Sequence, residues 1–387
     1  MTAARRVMLV AAEPSGDALG AALAAALRAR LGADLRLFGV GGPLMAAEGI
    51  ESPFDIAPLS VLGVFDALAA YPLVRRRARE VGELAARGRP DVAVLIDSWG
   101  FNLRVAHAIR RAGPGVRLIK YVAPQVWATR PGRAHTLARA VDHLLTIHAF
   151  DAPWFERAGL KTTFVGNPAL TGSPIQAEPG RLRAAIGAAP SDPILLVAPG
   201  SRRGEVSRLM PPFEEAVRIL AGERPRLKLV LIAADAVAAE VEERVRTWPV
   251  AAHIRAGEEA RRDAMAAASA ALACSGTVTT QLALAGAPVV VAYRLDAGTA
   301  VIARLLIRTR YITLMNVAAK REVAPEFVQE ACTGPRLAAA LAPLLDDPKA
   351  RARQSADQAA ALEIMRGGIV DPAGAAADAV IAQLPRA

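Results

Sequence analysis

The feature that most constrains the fold of this chain is a regular alternation between short aliphatic runs and longer, Ala- and Leu-rich amphipathic runs. Short apolar runs bounded by turn residues predict strands that are buried on both faces, and the longer runs predict helices. Alternation at this spacing predicts an α/β fold with parallel, doubly wound sheets. The strands predicted first are Val7–Ala11, Leu35–Val40, Val92–Ile96, Leu118–Val122, Leu144–Ile147 and Thr162–Val165.

The alternation stops at a polar segment that contains prolines, Gly166-Asn167-Pro168 followed by Gly172–Pro179, and then starts again. With 387 residues, the chain is also too long for one ordinary core. We therefore predict two Rossmann-like domains that face each other across a cleft, over residues 1–167 and 168–350, and a helical tail over 351–387 that packs back toward the first domain. The strands predicted for the second domain are Ile194–Ala198, Leu227–Ile232, Ala270–Cys274 and Val289–Ala292.

Charge and composition give little support to nucleic-acid binding, and most of the arginines fit a solvated basic face. The net charge is +10, and a basic surface attracts phosphates. Arginines are scattered rather than clustered, and aromatic residues make up only 4%, so base stacking has little support. The five histidines lack metal-ligand spacing, and no Asp-x-Asp occurs, which argues against a nucleotide held through a divalent metal.

Ligands of parallel sheets bind beyond the carboxyl ends of the strands, so the loops after the strands are the candidate sites. The loop after Ile194–Ala198 contains Gly200, Ser201, Arg202 and Glu205. Glycine allows close backbone approach, helix-start amides donate hydrogen bonds to phosphate oxygens, and a guanidinium suits a pyrophosphate. Phosphate binding is favoured here over a simple helix cap.

A second small-residue helix start, Ser275-Gly276-Thr277, follows the strand Ala270–Cys274. It suits a phosphate, and Gln281, one turn further, is placed to reach a ribose hydroxyl. Because Ser-Gly-Thr also caps many helices, this motif alone leaves both interpretations open.

Asp97 follows the buried strand Val92–Ile96 and is the candidate general base. Its position at the tip of a strand is equally typical of a turn or a helix cap. The turn after the first strand, with Glu13, Ser15, Gly16 and Asp17, could hold a sugar or phosphate, or cap the helix that follows.

Two apolar segments next to arginines are typical of a membrane surface, although each also fits an amphipathic core helix. No spanning helix is predicted, because polar residues interrupt the uncharged stretch 264–293. The second segment is Ala300–Tyr311. The first is Leu59–Val74 with the arginines after it, from which we select Val61, Leu62, Phe65, Leu68, Arg75, Arg76 and Arg77 as membrane-facing.

An ordered set of motifs along nearly the whole chain resembles the lipid-A-disaccharide synthase family. The set begins at Ala12–Asp17 and Phe38–Met45 and continues through Ile96-Asp97-x-x-x-Phe101-Asn102, Tyr121–Ala128, Phe164–Gly166, Pro199–Glu205 and Ser275–Thr277 to Asn316 and Arg321–Glu326. Any one of these motifs is weak, but their order is specific.

The resemblance implies a GT-B type fold with the acceptor on the N-terminal half and the UDP-sugar on the C-terminal half. It implies transfer of 2,3-diacylglucosamine from UDP to 2,3-diacylglucosamine 1-phosphate with inversion and without metal or cofactor, at the inner face of the cytoplasmic membrane. Asp97 matches the family's essential acidic position. The resemblance assigns the acceptor to Glu13, Ser15, Gly16, Asp17, Phe101 and Asn102, and the nucleotide to Gly200, Ser201, Arg202, Glu205, Ser275, Gly276, Thr277, Gln281 and Asn316.

The chain departs from the family pattern at Gln281, where the family has Glu, and at Asn167, where it has His. Two enzyme alternatives stay open: another inverting GT-B transferase with a lipid-linked acceptor, and a UDP-sugar 2-epimerase. A module that only binds nucleotide sugars or nucleic acid is a further alternative. A homodimer is compatible with the sequence, which does not determine the number of subunits.

Overall fold

The computed structural model describes residues 4–59, 71–113, 115–171, 177–296 and 309–385. The chain forms two compact units: unit 1 comprises residues 1–171 and 366–387, and unit 2 comprises residues 172–365. Each unit contains one parallel sheet of six strands. The predicted α/β class with parallel sheets is therefore confirmed.

The sheet of unit 1 has the strand order β2-β1-β3-β4-β5-β6. Its strands are buried on both faces, as their apolar runs predict: in β1, Met8 and Val10 pack into the core on one face, and Val7 and Leu9 into the core on the other. The strands are β1 Arg5–Ala11, β2 Leu35–Val40, β3 Val92–Ile96, β4 Arg117–Tyr121, β5 His143–Thr146 and β6 Lys161–Phe164.

Helices of unit 1 cover this sheet, and two of them approach each other closely. A Cβ added at Gly82, in the helix Tyr71–Gly88, would lie 3.0 Å from the Cβ of Ala108, in the helix Trp99–Ala112. The helices in this part of the chain are α1 Pro14–Leu31, α2 Pro43–Ala47, α3 Tyr71–Gly88, α4 Trp99–Ala112, α5 Arg133–Ala140 and α6 Ala152–Glu156.

The sheet of unit 2 has the strand order β12-β11-β10-β7-β8-β9. Leu195 and Val197 of the central strand lie in its main core, with side chains from the helices Arg203–Glu223 and Gly334–Asp346. The strands are β7 Ile194–Ala198, β8 Lys228–Ile232, β9 Ala252–Arg255, β10 Ala270–Cys274, β11 Val289–Tyr293 and β12 Glu326–Val328. The helices are α7 Pro179–Ala185, α8 Arg203–Glu223, α9 Ala238–Val245, α10 Glu258–Ala267, α11 Thr277–Leu284, α12 Leu314–Ala319, α13 Gly334–Asp346 and α14 Pro348–Arg366.

The C-terminal segment is divided between the units, so the boundaries differ from the predicted 167/168 and 350/351. Helix α14 belongs mainly to unit 2, because buried Gln358 accepts a hydrogen bond from the amide of Val289 and donates one to the carbonyl of Ala287. Only the chain from residue 366 joins unit 1, where α15, Pro372–Ile381, packs on α1. An ion pair between Arg30 and Asp378 accompanies that packing.

In the described part of the chain, no helix combines the length and the apolar character that crossing a membrane requires.

Gln358→Leu is expected to lower the free energy of unfolding by about 2–4 kcal/mol, because it leaves the Val289 amide and the Ala287 carbonyl buried without their side-chain partner. Chemical denaturation monitored by circular dichroism measures the loss. The exposed Arg353→Leu on the same helix is the control and should change the free energy little. Equal stability of the Gln358 variant and the wild type would contradict this account of how α14 docks.

Candidate functional site

Each sheet reverses its strand order once, and the predicted motifs lie at these two points. In unit 1, β2 lies on one side of β1 and β3 on the other; in unit 2, β8 lies on one side of β7 and β10 on the other. A crevice for ligands forms at such a reversal, beyond the carboxyl ends of the two strands. The loops after β1 and β3, and those after β7 and β10, are therefore the candidate sites of their units.

In unit 1, the structure brings together two motifs that lie 82 residues apart in the sequence. The hydroxyl of Ser15 donates a hydrogen bond of 2.9 Å to Oδ2 of Asp97. Asp97 and Ser98 have φ angles of 51° and 34°, in the left-handed region that residues other than glycine rarely adopt. A strained turn at the end of a buried strand thus places a carboxylate next to the first loop, an arrangement typical of a functional site.

Gly16 lies where the first loop packs against the end of β3. A Cβ at this position would lie 3.4 Å from the carbonyl oxygen of Ile96 and 3.6 Å from the Cβ of Asp97. Glu13 is partly exposed directly before α1. Glu13, Ser15, Gly16 and Asp97 therefore lie close to one another at the carboxyl ends of β1 and β3.

Three other predicted acceptor residues are buried, and their side chains support the crevice from within. Asp17 accepts hydrogen bonds from the backbone amides of Gly42, Leu44 and Met45. Asn102 donates to the carbonyl oxygens of Ile96 and Asp97. The ring of Phe101 lies in the core.

Two features of this region were missed by the sequence analysis. Lys120 of β4 is buried and donates to the backbone carbonyl of Asp97. Trp127 donates a hydrogen bond of 3.0 Å from Nε1 to Oδ1 of Asp151. The ring of nearby Phe150 stacks on His148 and meets Trp127 edge-on.

Burial perturbs the two titratable groups in this aromatic cluster. It raises the pKa of the Asp151 carboxyl to about 7, although the bond from Trp127 opposes the shift. It lowers the pKa of His148 to about 4, so the imidazole is neutral at neutral pH. The cluster joins the loop after β4 to the loop after β5.

In unit 2, the loop after β7 is built around Glu205. Its carboxylate accepts hydrogen bonds from the backbone amides of Ser201 (3.1 Å) and Arg202 (3.3 Å), and from the Arg202 guanidinium at 3.2 Å. Gly200 has a φ of 117°, and a Cβ there would lie 2.7 Å from Oε2 of Glu205. Glu205 thus shapes the loop, while the side chain of Arg202 stays 61% exposed.

The loop after β10 is a neighbour of this loop, since a Cβ at Gly200 would lie 3.4 Å from Sγ of Cys274. Helix α11 begins at Thr277 with Gly276 as its N-cap, and no side chain of the described residues caps it. Gln281 is exposed one turn along. The open helix start and the Arg202 side chain at one strand-order reversal suit a phosphate-bearing ligand.

Asn316, also predicted as a nucleotide ligand, is fully buried and all its hydrogen-bonding groups have protein partners. Nδ2 donates to the carbonyl of Ala324 and to Glu326, and Oδ1 accepts from the amides of Val323 and Ala324. Glu326 in turn accepts from the amide of Thr313 at 2.7 Å. Asn316 therefore organises the turn before β12.

The predicted membrane-facing residues are only partly covered. Val61, Leu62, Phe65 and Leu68, and most of the segment 300–311, lie outside the described residues. Arg75 and Arg76 are exposed on α3, while Arg77 pairs with Glu80 and stacks on Phe54. A groove of about 900 Å³ runs between α3 and α4. Its walls include Tyr71, Arg75, Arg79, Glu83, Arg104, His107 and Arg111.

Comparison with known proteins places these features in a family context. Residues 7–380 match the family model described as Lipid-A-disaccharide synthetase. A lipid-A-disaccharide synthase of Rhodospirillum centenum is 41% identical over 375 residues, covering 97% of this chain and 94% of the relative. One of Paramagnetospirillum magneticum is 42% identical over 377 residues, covering 97% and 96%.

Solved structures share the fold at low sequence identity. A glycosyltransferase from Rickettsia africae superposes with a TM-score of 0.60 at 10% identity, over 99% of both chains. A UDP-GlcNAc 2-epimerase from Neisseria meningitidis, bound to UDP-GlcNAc, has a TM-score of 0.59 at 10% identity, over 97% of this chain and 99% of its own. These similarities confirm the predicted GT-B type fold, which is common to both groups of enzymes.

Gly200→Ala is expected to lower the free energy of unfolding by about 1–3 kcal/mol, because alanine is strained at this φ and its Cβ meets the Glu205 carboxylate. Thermal unfolding of the purified variant measures the effect. Gly222→Ala near the end of α8 is the matched control: its Cβ would meet nothing within 4 Å, so its stability should be equal or higher. Equal melting temperatures of the two variants would contradict the positive φ of Gly200 and its close contact with Glu205.

Asp151→Asn is expected to stabilise the protein at pH 8 and to change its stability little at pH 4. The raised pKa means that stability of the wild type falls as pH rises from the unfolded-state value, about 4, to about 7, where the buried carboxyl ionises. Asparagine keeps the acceptor for Trp127 without acquiring the charge. Melting temperatures of both proteins across this pH range test the prediction, which a pH-independent difference would contradict.

Proposed function

Because the chain belongs to the Lipid-A-disaccharide synthetase family, we propose that it transfers 2,3-diacylglucosamine from UDP to the 6-hydroxyl of 2,3-diacylglucosamine 1-phosphate. The products are a β(1→6)-linked tetra-acyl disaccharide 1-phosphate and UDP. The structural observation that carries the proposal is the Asp97 carboxylate, held against Ser15 at the strand-order reversal of unit 1. The reaction belongs to lipid A biosynthesis.

Inversion at the anomeric carbon requires one displacement, for which Asp97 is the base. Its carboxylate takes the proton of the acceptor 6-hydroxyl as the oxygen attacks the anomeric carbon of the donor. The bond from that carbon to the β-phosphate of UDP breaks on the opposite side, and the electron pair leaves with UDP. General base catalysis of this kind contributes about 10²–10⁴-fold to the rate.

Negative charge grows on the departing pyrophosphate, and unit 2 offers groups that stabilise it. The exposed Arg202 guanidinium and the open amides at the start of α11 are preorganised donors, which act most strongly where charge develops. We assign contacts with the UDP phosphates to Gly200, Ser201 and Arg202, and to the helix start from Ser275 to Thr277. Gln281 is assigned to the ribose.

The buried carboxylates and amides near both crevices have supporting roles in this proposal. Glu205 and Asn316 shape the donor loops through the bonds described above. Asp17 and Asn102 do the same on the acceptor side, where Glu13, Ser15 and Gly16 are the groups that meet the sugar. Substituting a supporting residue changes the shape of a loop, whereas substituting Asp97 removes a reacting group.

Peripheral attachment to the inner face of the cytoplasmic membrane is the second part of the proposal, and the groove between α3 and α4 supports it. Among the described residues, Arg79 and Arg111 have no hydrogen-bond or ion-pair partner, so their charges are available to anionic headgroups. Arg75 and Arg104 flank exposed Tyr71, at 5.9 Å and 5.0 Å from its ring centre. An amphipathic ring beside arginines is typical of a membrane interface.

Asp97→Asn is expected to lower kcat by at least about 10²-fold, because the amide cannot accept the proton. The assay mixes both acylated substrates in detergent micelles and detects the disaccharide by mass spectrometry. UDP affinity, measured by calorimetry, should not change, because Asp97 lies in unit 1. The exposed Asp34→Asn is the matched control. Near-normal turnover of the Asp97 variant would contradict its assignment as the base.

The double substitution Arg79→Glu and Arg111→Glu is expected to weaken binding to phosphatidylglycerol vesicles about tenfold or more, since each basic residue near an anionic surface contributes about 1 kcal/mol. Flotation of the protein with vesicles measures this. Arg87→Glu with Arg139→Glu makes the same charge change on exposed positions outside the groove and serves as the control. Equal binding of the two double variants would contradict a specific role of the groove.

A further inference from the structure

Lys120 is a lysine inside the sheet of unit 1, with only 3% of its surface exposed. It lies on β4, where its backbone pairs with Leu95 of β3. Lysine is almost never buried to this extent without partners, because removing an ammonium ion from water is costly. Its burial next to Asp97 must therefore be compensated by strong hydrogen bonds or by nearby opposite charge.

The ammonium uses all three of its hydrogen atoms on backbone carbonyls at the ends of β3 and β4. It donates to the carbonyl oxygens of Leu95 at 3.3 Å and of Tyr121 at 3.0 Å, and it makes a close bond to the carbonyl oxygen of Asp97. Bonds from a charged donor are about twice as strong as those between neutral groups. Lys120 thus joins the two strand ends at the point where the left-handed turn begins.

Two of these carbonyls have other donors, so the lysine is not needed merely to satisfy them. The Asp97 carbonyl also accepts from Nδ2 of Asn102 at 2.9 Å, and the Tyr121 carbonyl accepts from the Asp97 amide at 2.9 Å. Lys120 adds a positive charge next to Asp97 and a charge-assisted hydrogen bond to the Asp97 carbonyl oxygen. Neither contribution is required by the sheet.

We propose that Lys120 is a positioning residue for sugar transfer: its protonated ammonium holds the Asp97–Ser98 turn so that the Asp97 carboxylate meets Ser15 and the acceptor. The inference rests on the proposed function insofar as Asp97 is the base. Lys120 acts through the backbone of Asp97 and touches no reacting atom.

The charge of this ammonium depends on pH near neutrality. Burial lowers the pKa of Lys120 to about 7, while the carboxylates of Asp97 and Glu13, the groups of opposite charge that act on it, favour the protonated form. The hydrogen bond from Lys120 to the Asp97 carbonyl is strongest when the amine is protonated. We therefore expect kcat to fall as pH rises through about 7. The unfolded state binds more protons between about pH 7 and pH 10, so the lysine lowers stability at neutral pH.

Activity and stability are therefore expected to respond differently to Lys120→Met. The variant should lose about 10- to 100-fold in kcat at pH 6.5, as a misplaced catalytic group does, with unchanged KM for both substrates. It should also lack the fall of kcat above pH 7 that is expected of the wild type. Its melting temperature at pH 6.5 should be equal or higher, because methionine fills the space without a buried charge. Lys161→Met, which removes an exposed lysine of β6, is the control.

Two results of this assay would overturn the inference. One is wild-type kcat with an unchanged pH profile. The other is a loss of kcat together with a lower melting temperature and a retained fall above pH 7, because a purely structural residue behaves in that way.

A crystal structure of Lys120→Met tests the positioning role without any assay. The inference predicts that the 2.9 Å contact between Ser15 Oγ and Asp97 Oδ2 is lost or that the turn leaves the left-handed region. An unchanged turn and contact would overturn it. If the wild type fails to transfer the sugar, the proposed function fails, but this comparison still decides the role of Lys120.

Discussion

The candidate chemistry of this protein depends on how the backbone is held where β3 ends. A strand buried on both faces would leave a carboxylate at its tip free to point in many directions, but left-handed φ angles at Asp97 and Ser98 restrict it. Such angles persist only where surrounding bonds compensate for the strain. Asn102 from α4 and Lys120 from β4 both donate to the Asp97 carbonyl, and Ser15 meets the carboxylate. The crevice of unit 1 is therefore defined by interactions among three neighbouring segments.

In both units, buried carboxylates hold the loops in shape through hydrogen bonds to backbone amides. Asp17 satisfies the amides before and within α2, and Glu205 satisfies those of the loop before α8. When such a carboxylate is buried, backbone amides replace water as its hydrogen-bond donors. The same bonds give partners to amides that would otherwise have none. The exposed groups that remain, such as Arg202, are then held on a rigid loop. Because glycosyltransferases and 2-epimerases share this fold, function resides in these side chains and not in the architecture.

Periodicity and turn chemistry predicted the four loops and ten of the twelve strands of the described residues, because continuous apolar runs and small-residue turns have few other structural solutions. The two edge strands of unit 2, β9 and β12, are only partly buried and were not predicted. The direction of a side chain within a loop could not be predicted in the same way. Asp17 and Asn316 lie in the expected motifs, but tertiary contacts turn them inward. The role of Lys120 could not be predicted, because it lies within a mainly apolar strand and no local motif marks it. The Trp127–Asp151 hydrogen bond joins residues 24 positions apart, and no local sequence pattern indicates it. The Gln358 bonds that divide the tail depend on packing in the same way.

The most direct test of the central claim is the configuration of the product formed by the wild-type protein. UDP-2,3-diacylglucosamine and 2,3-diacylglucosamine 1-phosphate are incubated with enzyme and EDTA in detergent micelles, and the new glycosidic bond is analysed by NMR. Single displacement with Asp97 as base, and charge stabilisation by Arg202 and helix amides, predicts a β(1→6) linkage and one UDP released per disaccharide. An α-linked product, or no product from protein that still binds UDP, would contradict it.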